Sequence, residues 1–143
     1  MIMEEIQEEI HKEVKGSYKI ENIILIDFTF KRKEQIEFSN NIENAIDIIT
    51  EIGNSDNENQ IVVSVILSVN SMQNESEVFS IKIKMTGIFT KEGTPALPEA
   101  VFKKINAPAI IYPFMREQVA NICLRAGLGN VFLPPVNFVE RNK

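Results

Sequence analysis

The chain has little of what catalytic and metal sites are usually built from. Its 143 residues include one cysteine, one histidine and no tryptophan. The lone Cys123 cannot form an intrachain disulfide, and a zinc site needs several Cys or His ligands. We therefore expect no metal site, no disulfide scaffold, and a reducing compartment such as the cytoplasm.

Long apolar runs are also missing. No stretch reaches the roughly 18 apolar residues that a membrane helix needs. The amino terminus, MIMEEIQEEI, is acidic where a signal peptide is basic and then apolar. We expect a cytoplasmic protein without membrane insertion. For a chain of this length, a single domain over 1–143 is the simplest organisation.

No residue pattern indicates catalysis. A nucleophile needs a base within reach, and the only candidate pair, Cys123 and His11, lies far apart in sequence, with Cys123 expected to be packed in a helix. The glycine pair at Gly127 and Gly129 follows a helix, whereas a phosphate loop precedes one. We predict a non-enzymatic protein without a cofactor, and an enzyme with an unrecognised site is the residual alternative.

Charge is unevenly distributed around a net value of −5. Residues 1–99 carry 9 basic and 18 acidic side chains, and residues 100–143 carry 6 and 2. An acidic majority argues against nucleic acid, which needs a clustered basic surface. The asymmetry indicates either solvated faces or an acidic surface that attracts basic polypeptides.

Alternating apolar residues predict three clear strands, over Tyr18–Phe30, Gln60–Ser71 and Phe79–Phe89. The last two are joined by a few polar residues, which predicts an antiparallel hairpin. Residues 36–53 fit either a short helix and a strand or a strand alone, and their β-branched residues favour a strand over Ala45–Glu51. In the first strand, alternation places these residues on one face: Tyr18, Ile20, Ile24, Ile26, Phe28 and Phe30.

Helical spacing appears at both ends of the chain. Four aliphatic residues recur every four positions and predict an N-terminal helix: Ile2, Ile6, Ile10 and Val14. Pro98 begins a short helix in the proline-punctuated loop. Pro113 is expected in the first turn of the long helix, because an interior proline costs about 3 kcal/mol. That helix should end at Gly127.

These elements predict an α+β fold, with a four-stranded antiparallel sheet, helices packed on one of its sides and an extra N-terminal helix. The expected segments are an N-terminal helix over 1–16, a sheet over 17–90, a crossover loop over 91–108, a long helix over 109–127 and a C-terminal arm over 128–143.

Four sequence blocks carry a family resemblance. They are Thr86-Gly87-Ile88-Phe89, Asn106-Ala107-Pro108, Ile111-Tyr112-Pro113-Phe114-Met115-Arg116-Glu117 and Leu133-Pro134-Pro135-Val136-Asn137-Phe138. In order and separation they resemble SecB, the tetrameric bacterial export chaperone. The resemblance covers about residues 78–138 and extends weakly to the first strand.

The resemblance implies a dimer of dimers that holds unfolded polypeptide in hydrophobic grooves, with no nucleotide or cofactor. Weak apolar contacts at many sites along one client give useful affinity without sequence specificity. Six of the eleven aromatic residues lie beyond residue 88, and each fits either core packing or a groove. The groove candidates are Ile88, Phe89, Tyr112, Phe114, Phe132, Leu133 and Phe138. Replacing Phe132 and Phe138 with Ser should reduce client binding, or unfold the chain if both are core.

The chain also departs from the family pattern. Family members present acids on the exposed sheet face for the translocase motor SecA. Asp27 matches one of them, but Lys31 and Lys82 stand where two others align, which predicts weak SecA docking. Five residues follow Phe138, so the family's longer tail is not expected. The first hypothesis is thus a general holdase, possible clients being preproteins for export, and the second is a chaperone dedicated to one partner such as an antitoxin.

Overall fold

The computed structural model describes residues 15–129 and 133–142. Four antiparallel strands form one sheet in the order β1-β4-β3-β2. They are β1 Gly16–Arg32, β2 Glu43–Ile52, β3 Gln60–Gln73 and β4 Ser76–Gly93. The predicted fold class is confirmed, including a strand where residues 36–53 were ambiguous. The predicted N-terminal helix lies outside the described residues.

A tight hairpin joins β3 to β4, as the sequence predicts. Gln73 pairs with Ser76, and the two residues between them, Asn74 and Glu75, have φ values of 51° and 64°. Positive φ at both central positions is typical of a type I′ turn, whose twist matches that of the flanking strands.

The strict alternation predicted for β1 is wrong in the middle of the strand. Register shifts next to Glu21 and Ile26 mark two β-bulges. Each bulge adds one residue to β1, so the residues that follow it point to the opposite side of the sheet from the one that strict alternation across the bulge predicts. Between the bulges, Ile24 therefore lies on the side opposite to Tyr18 and Phe28, and Ile23 and Leu25 lie on the side of those two.

The helices follow the sheet. They comprise α1 Glu99–Val101, a π-helical segment Phe102–Asn106, α2 Ala107–Arg125 and a short α3 Phe138–Arg141. The crossover loop thus ends at Pro98, not at residue 108, and the long helical stretch begins ten residues earlier than the predicted 109. The prediction failed because it allowed proline only at a helix start.

Two prolines are tolerated within this helical stretch. Before Pro108 the helix widens, and the N–H of Ala107 bonds to the carbonyl of Phe102 in the i→i−5 pattern. Pro108 has no N–H to donate to the carbonyl of Lys104. That carbonyl accepts a hydrogen bond from Asn142 Nδ2 at 3.1 Å. Pro113 lies inside α2, not in its first turn, on an exposed position where water can satisfy the freed carbonyl.

The core lies between α2 and one side of the sheet, which we call the helix side. This side carries the buried residues Ile61, Val63, Val65, Leu67, Val69, Phe79, Ile81, Ile83, Met85 and Phe89. They meet Ile111, Met115 and Val119 of α2, all at 0% exposure. A Cβ on Gly87 would lie 3.0 Å from Ile111 Cδ1, so α2 approaches the backbone of β4 closely at this glycine.

The end of α2 is closed by its own chain and by β1. Gly127 has a φ of +70°, and the N–H of Leu128 bonds to the carbonyl of Cys123 at 2.9 Å. The guanidinium of Arg32 donates to the carbonyl of Ala126. The end of the first strand is thereby tied to the end of the helix, and Gly127 stops the helix as predicted.

Candidate functional site

Most of the aromatic groove candidates are buried within the chain. Phe89 is 0% exposed, Tyr112 and Phe138 are 3% exposed, and Leu133 is 7% exposed. These four residues belong to the hydrophobic core. Their side chains therefore lie almost entirely inside the chain.

The remaining candidates lie elsewhere. Phe114 projects from α2 with 45% exposure. Ile88 is half-buried and lies on the side of the sheet that faces away from α2, which we call the open side. Its partner on the neighbouring strand is Val62, on the same side. The sheet itself separates Ile88 from Phe89 and Tyr112. Phe132 lies outside the described residues.

Two of the buried rings anchor the C-terminal arm, by which we mean Leu133–Asn142. The rings of Tyr112 and Phe138 meet edge to face with centroids 6.1 Å apart. The hydroxyl of Tyr112 donates to the carbonyl of Pro134 at 2.6 Å. Burial raises the pKa of Tyr112, and Arg116, whose guanidinium carbon lies 5.4 Å from the ring centroid, partly offsets that shift.

The arm is fastened to the body through side chains. Within residues 15–129 and 133–142, the backbone–backbone hydrogen bonds of the arm are internal to it. Asn137 caps α3 by accepting from two backbone N–H groups. Arg141 donates to the carbonyl of Ile48 at the edge strand β2, and Asn142 reaches Lys104. The arm is thus joined to the body by side-chain hydrogen bonds and by the packing of Leu133 and Phe138 in the core.

An apolar groove of about 400 Å³ runs between the arm and the start of the long helix. We call it the arm groove. Its lining is Ile105, Ala109, Pro135, Val136, Asn137, Phe138 and Val139. Phe138 is the one predicted groove residue among them. Sequence reasoning missed Ile105 and Ala109, because it placed Ile105 in the crossover loop and Ala109 at the very first position of the long helix. Their i, i+4 spacing was the available signal.

A second cleft of about 260 Å³ opens between β1 and α2. Leu25, Phe28 and Ile122 supply its apolar wall, and Arg125 supplies a charge. Leu25 is 44% exposed although it lies on the helix side. We call this the edge cleft, because it follows the exposed edge strand of the sheet.

The open side of the sheet carries charges of both signs. Asp27 is exposed there and lies opposite Lys84, whose ammonium group is 3.4 Å from Glu51 Oε2. Lys31 and Lys82 are exposed on the same side. This surface is therefore not a continuous acidic face.

The described residues hold no apparatus for catalysis or metal binding. Cys123 is fully buried in α2, as predicted, and burial raises the pKa of its thiol. The histidine considered with it, His11, lies outside the described residues. Across 15–129 and 133–142 there is no group of three His, Cys, Asp or Glu side chains that could hold a metal ion. In the same ranges no helix is both long enough and apolar enough for a membrane crossing.

A sequence family accounts for nearly all of this architecture. The family model described as preprotein translocase subunit SecB matches residues 11–141. The chain belongs to the SecB family. This is not a family of enzymes, which confirms the prediction of a non-enzymatic protein.

Individual relatives agree with this assignment. The protein-export protein SecB of Cellvibrio japonicus is 30% identical over 128 residues, which is 85% of this chain and 74% of that protein. The SecB of Thiobacillus denitrificans is 29% identical over 82 residues, which is 57% of this chain and 54% of that protein. The chain spans about half the length of several curated relatives that it matches.

The fold is also found in a solved structure. A SecB-like chaperone of Mycobacterium tuberculosis, in complex with a ChAD peptide from an antitoxin, superimposes with a TM-score of 0.70. The sequences are 12% identical, and the match covers 84% of this chain and 91% of that one. At this identity the likeness supports the shared fold.

Proposed function

We propose that this SecB-family protein is a holdase that binds unfolded or partly folded polypeptides, including preproteins for export, in the arm groove. The observation that carries the proposal is an apolar groove of about 400 Å³ between the helical stretch and the C-terminal arm. Ile105 of the π-helical segment and Ala109 of α2 form one wall, and the arm forms the other. A client then gains small free energies of apolar burial, about 25 cal/mol per Å², at many positions along its length.

The experiment uses groove residues whose replacement spares the core. Ala109 is exposed on the helix and Val139 is 48% exposed on the arm. An Ala109→Gln, Val139→Gln double variant should weaken binding of an unfolded polypeptide about tenfold, equivalent to roughly 1.4 kcal/mol. The matched control is Ala120→Gln, at an exposed α2 position away from the groove lining. Equal affinity of the double variant and the control would refute the arm groove as the client site.

Phe138→Ser does not serve this purpose. Because Phe138 is 3% exposed and contacts Tyr112, its loss would create a cavity in the core. Aromatic-to-small changes in a core cost about 3–5 kcal/mol. Reduced binding by such a variant would report unfolding as readily as a lost contact.

A second candidate is a chaperone dedicated to one partner, for example an antitoxin. It is supported by the antitoxin peptide bound to the Mycobacterium tuberculosis SecB-like chaperone and by the lysines at positions 31 and 82, which weaken docking to SecA. Suppression of aggregation for several unrelated unfolded proteins favours the general holdase. Tight binding of a single protein favours the dedicated chaperone, and so does a toxin–antitoxin pair encoded next to the gene for this chain.

We further propose that the protein acts in the cytoplasm as a homo-oligomer, a dimer or a tetramer. Support comes from the edge cleft and from exposed aliphatic residues on β1, since Ile20 is 49% and Ile26 is 54% exposed. Exposed apolar surface of this kind marks partner sites. Light scattering on the purified protein measures the mass directly, and a monomer at micromolar concentration would refute this part.

A further inference from the structure

The open side of the sheet carries an aliphatic patch. The described helices pack on the other side, so polar residues would be expected here. Instead four aliphatic side chains are half-buried, and a fifth, Ile49, is 49% exposed. We call this set the open-side patch, and its members are Ile24, Ile49, Val62, Ile66 and Ile88.

The strand register groups the patch into two clusters. Val62 lies opposite Ile88 on neighbouring strands, and Ile49 lies opposite Ile66. Ile24 is opposite Thr86, one pair away from Ile88. Cross-strand neighbours stand about 4.5–5.5 Å apart. Ile24, Val62 and Ile88 therefore form one cluster, and Ile49 and Ile66 form a second. The hydrogen-bonded side chains of Ser64 and Thr86 lie between the two clusters.

We propose that the segment 1–14 of this same chain covers the open-side patch, with its aliphatic stripe against the sheet. The stripe consists of Ile2, Ile6, Ile10 and Val14, four residues apart, as an amphipathic helix requires. The SecB family model begins at residue 11, so most of this segment is additional to the family pattern. The proposal does not depend on client binding in the arm groove.

The point at which the chain enters the sheet places the segment within reach. The carbonyl of Lys15 accepts from the N–H of Thr94 at 3.1 Å, beside Gly93. A 14-residue helix spans about 21 Å at 1.5 Å per residue. Ile88 lies about 17 Å along β4 from Gly93 at 3.3 Å per residue. The stripe therefore extends over Val62 and Ile88.

The other side of the sheet is already filled near Lys15. Tyr18 stacks on Phe102 with ring centroids 4.0 Å apart, and its hydroxyl donates to the carbonyl of Leu97 at 2.6 Å. The crossover loop thus occupies the helix side at the point where segment 1–14 leaves the sheet. The open side is therefore the side on which the aliphatic stripe of segment 1–14 has room to pack.

Charge orients the segment on the patch. Segment 1–14 carries five glutamates and one lysine. On the open side, β1 and β4 contribute the lysines Lys19, Lys31, Lys82 and Lys84 together with Asp27 and Glu92, whereas β2 contributes the acids Glu43, Asp47 and Glu51. Repulsion from the acids of β2 and attraction by the lysines place the segment over β1 and β4.

The test is paramagnetic broadening from a spin label on Glu9→Cys. Cys123 is buried, so the unsubstituted chain treated with the same reagent is the labelling control and should gain no mass. We expect methyl signals of Val62, Ile66 and Ile88 to lose most of their intensity. Methyl signals of Leu124, which is 66% exposed near the C-terminal end of α2, should keep most of theirs.

Matched variants decide the role of the stripe. With the label in place, Ile6→Ser with Ile10→Ser should restore the open-side signals, and Glu8→Gln should leave them broadened. Loss confined to helix-side methyls, no loss anywhere, or loss that survives the two serines would overturn the proposal. A mixture of two kinds of chain provides a further test, one kind carrying only the isotope and the other only the spin label. Broadening of the isotope-labelled chains would also overturn the proposal, because the segment would then cover a second copy.

Discussion

Gly87 shows how a single residue sets the distance between sheet and helix. It is buried on the helix side of β4, where a Cβ would lie 2.7 Å from Phe89 Cε2 and 3.0 Å from Ile111 Cδ1. Real Cβ atoms do not approach other atoms so closely, so α2 or the Phe89 ring would have to move. The absence of a side chain at this position is thus a packing requirement.

We expect Gly87→Ala to destabilise the fold by about 1–3 kcal/mol, the usual cost of overpacking a core. Urea unfolding followed by circular dichroism measures the change. Ser80→Ala on the same strand, half-exposed on the open side, is the control and should change stability by less than about 0.5 kcal/mol. Equal stability of Gly87→Ala and wild type would show that α2 yields at this point.

Tyr112 joins ring packing to a hydrogen bond on the arm. Tyr112→Phe keeps the ring against Phe138 and removes the donor to Pro134, which should cost about 0.5–1.5 kcal/mol at neutral pH. Because burial raises the folded-state pKa of Tyr112 above 10.0, its contribution is complete below pH 10 and is lost as pH rises through the folded pKa.

Urea unfolding of wild type and Tyr112→Phe at pH 7 and above pH 10 measures this contribution. Titrating lysines affect both proteins alike and cancel in the difference. We expect the advantage of wild type to shrink at the higher pH. A difference that stays constant with pH would contradict a buried, neutral Tyr112 hydroxyl.

At the scale of elements, the long helix is the feature that the prolines obscured. The chain from Glu99 to Arg125 is helical throughout, with a π-helical segment before Pro108 and an interior Pro113. The helix persists because its buried residues pack on the sheet, and tertiary packing outweighs local propensity. The same extension brings Ile105 and Ala109 into the arm groove.

Pro113→Ala restores an N–H that can bond to the carbonyl of Ala109. An interior proline costs about 3 kcal/mol relative to alanine, and the lower entropy of proline in the unfolded chain offsets part of that. We expect Pro113→Ala to raise the free energy of unfolding by about 1–2 kcal/mol in urea titrations.

The control for this variant is Pro98→Ala at the helix N-cap, where proline removes no intrahelical bond. Its effect should stay below about 1 kcal/mol. If Pro113→Ala proved destabilising, the helix would have to be bent around Pro113 in a way that its packing requires.

For the whole molecule, the net charge of −5 predicts which polypeptides the proposed holdase would bind best. A basic unfolded polypeptide should bind more tightly than an acidic one of equal length at low salt. The preference should fade as the Debye length falls from about 30 Å at 0.01 M to about 3 Å at 1 M salt. Titration calorimetry at both salt concentrations measures the ratio of affinities, and a salt-independent ratio would rule out a contribution from net charge.

The sequence alone determined the strands, the hairpin, the helix stop at Gly127 and the family, because these rest on local alternation, turn residues and ordered motifs. Only the tertiary structure decided that Phe89, Tyr112 and Phe138 are core. An aromatic residue has the same local pattern whether its ring faces a groove or the interior, and burial depends on distant residues. The bulges in β1 and the arm groove likewise follow from pairing and packing between segments far apart in the chain.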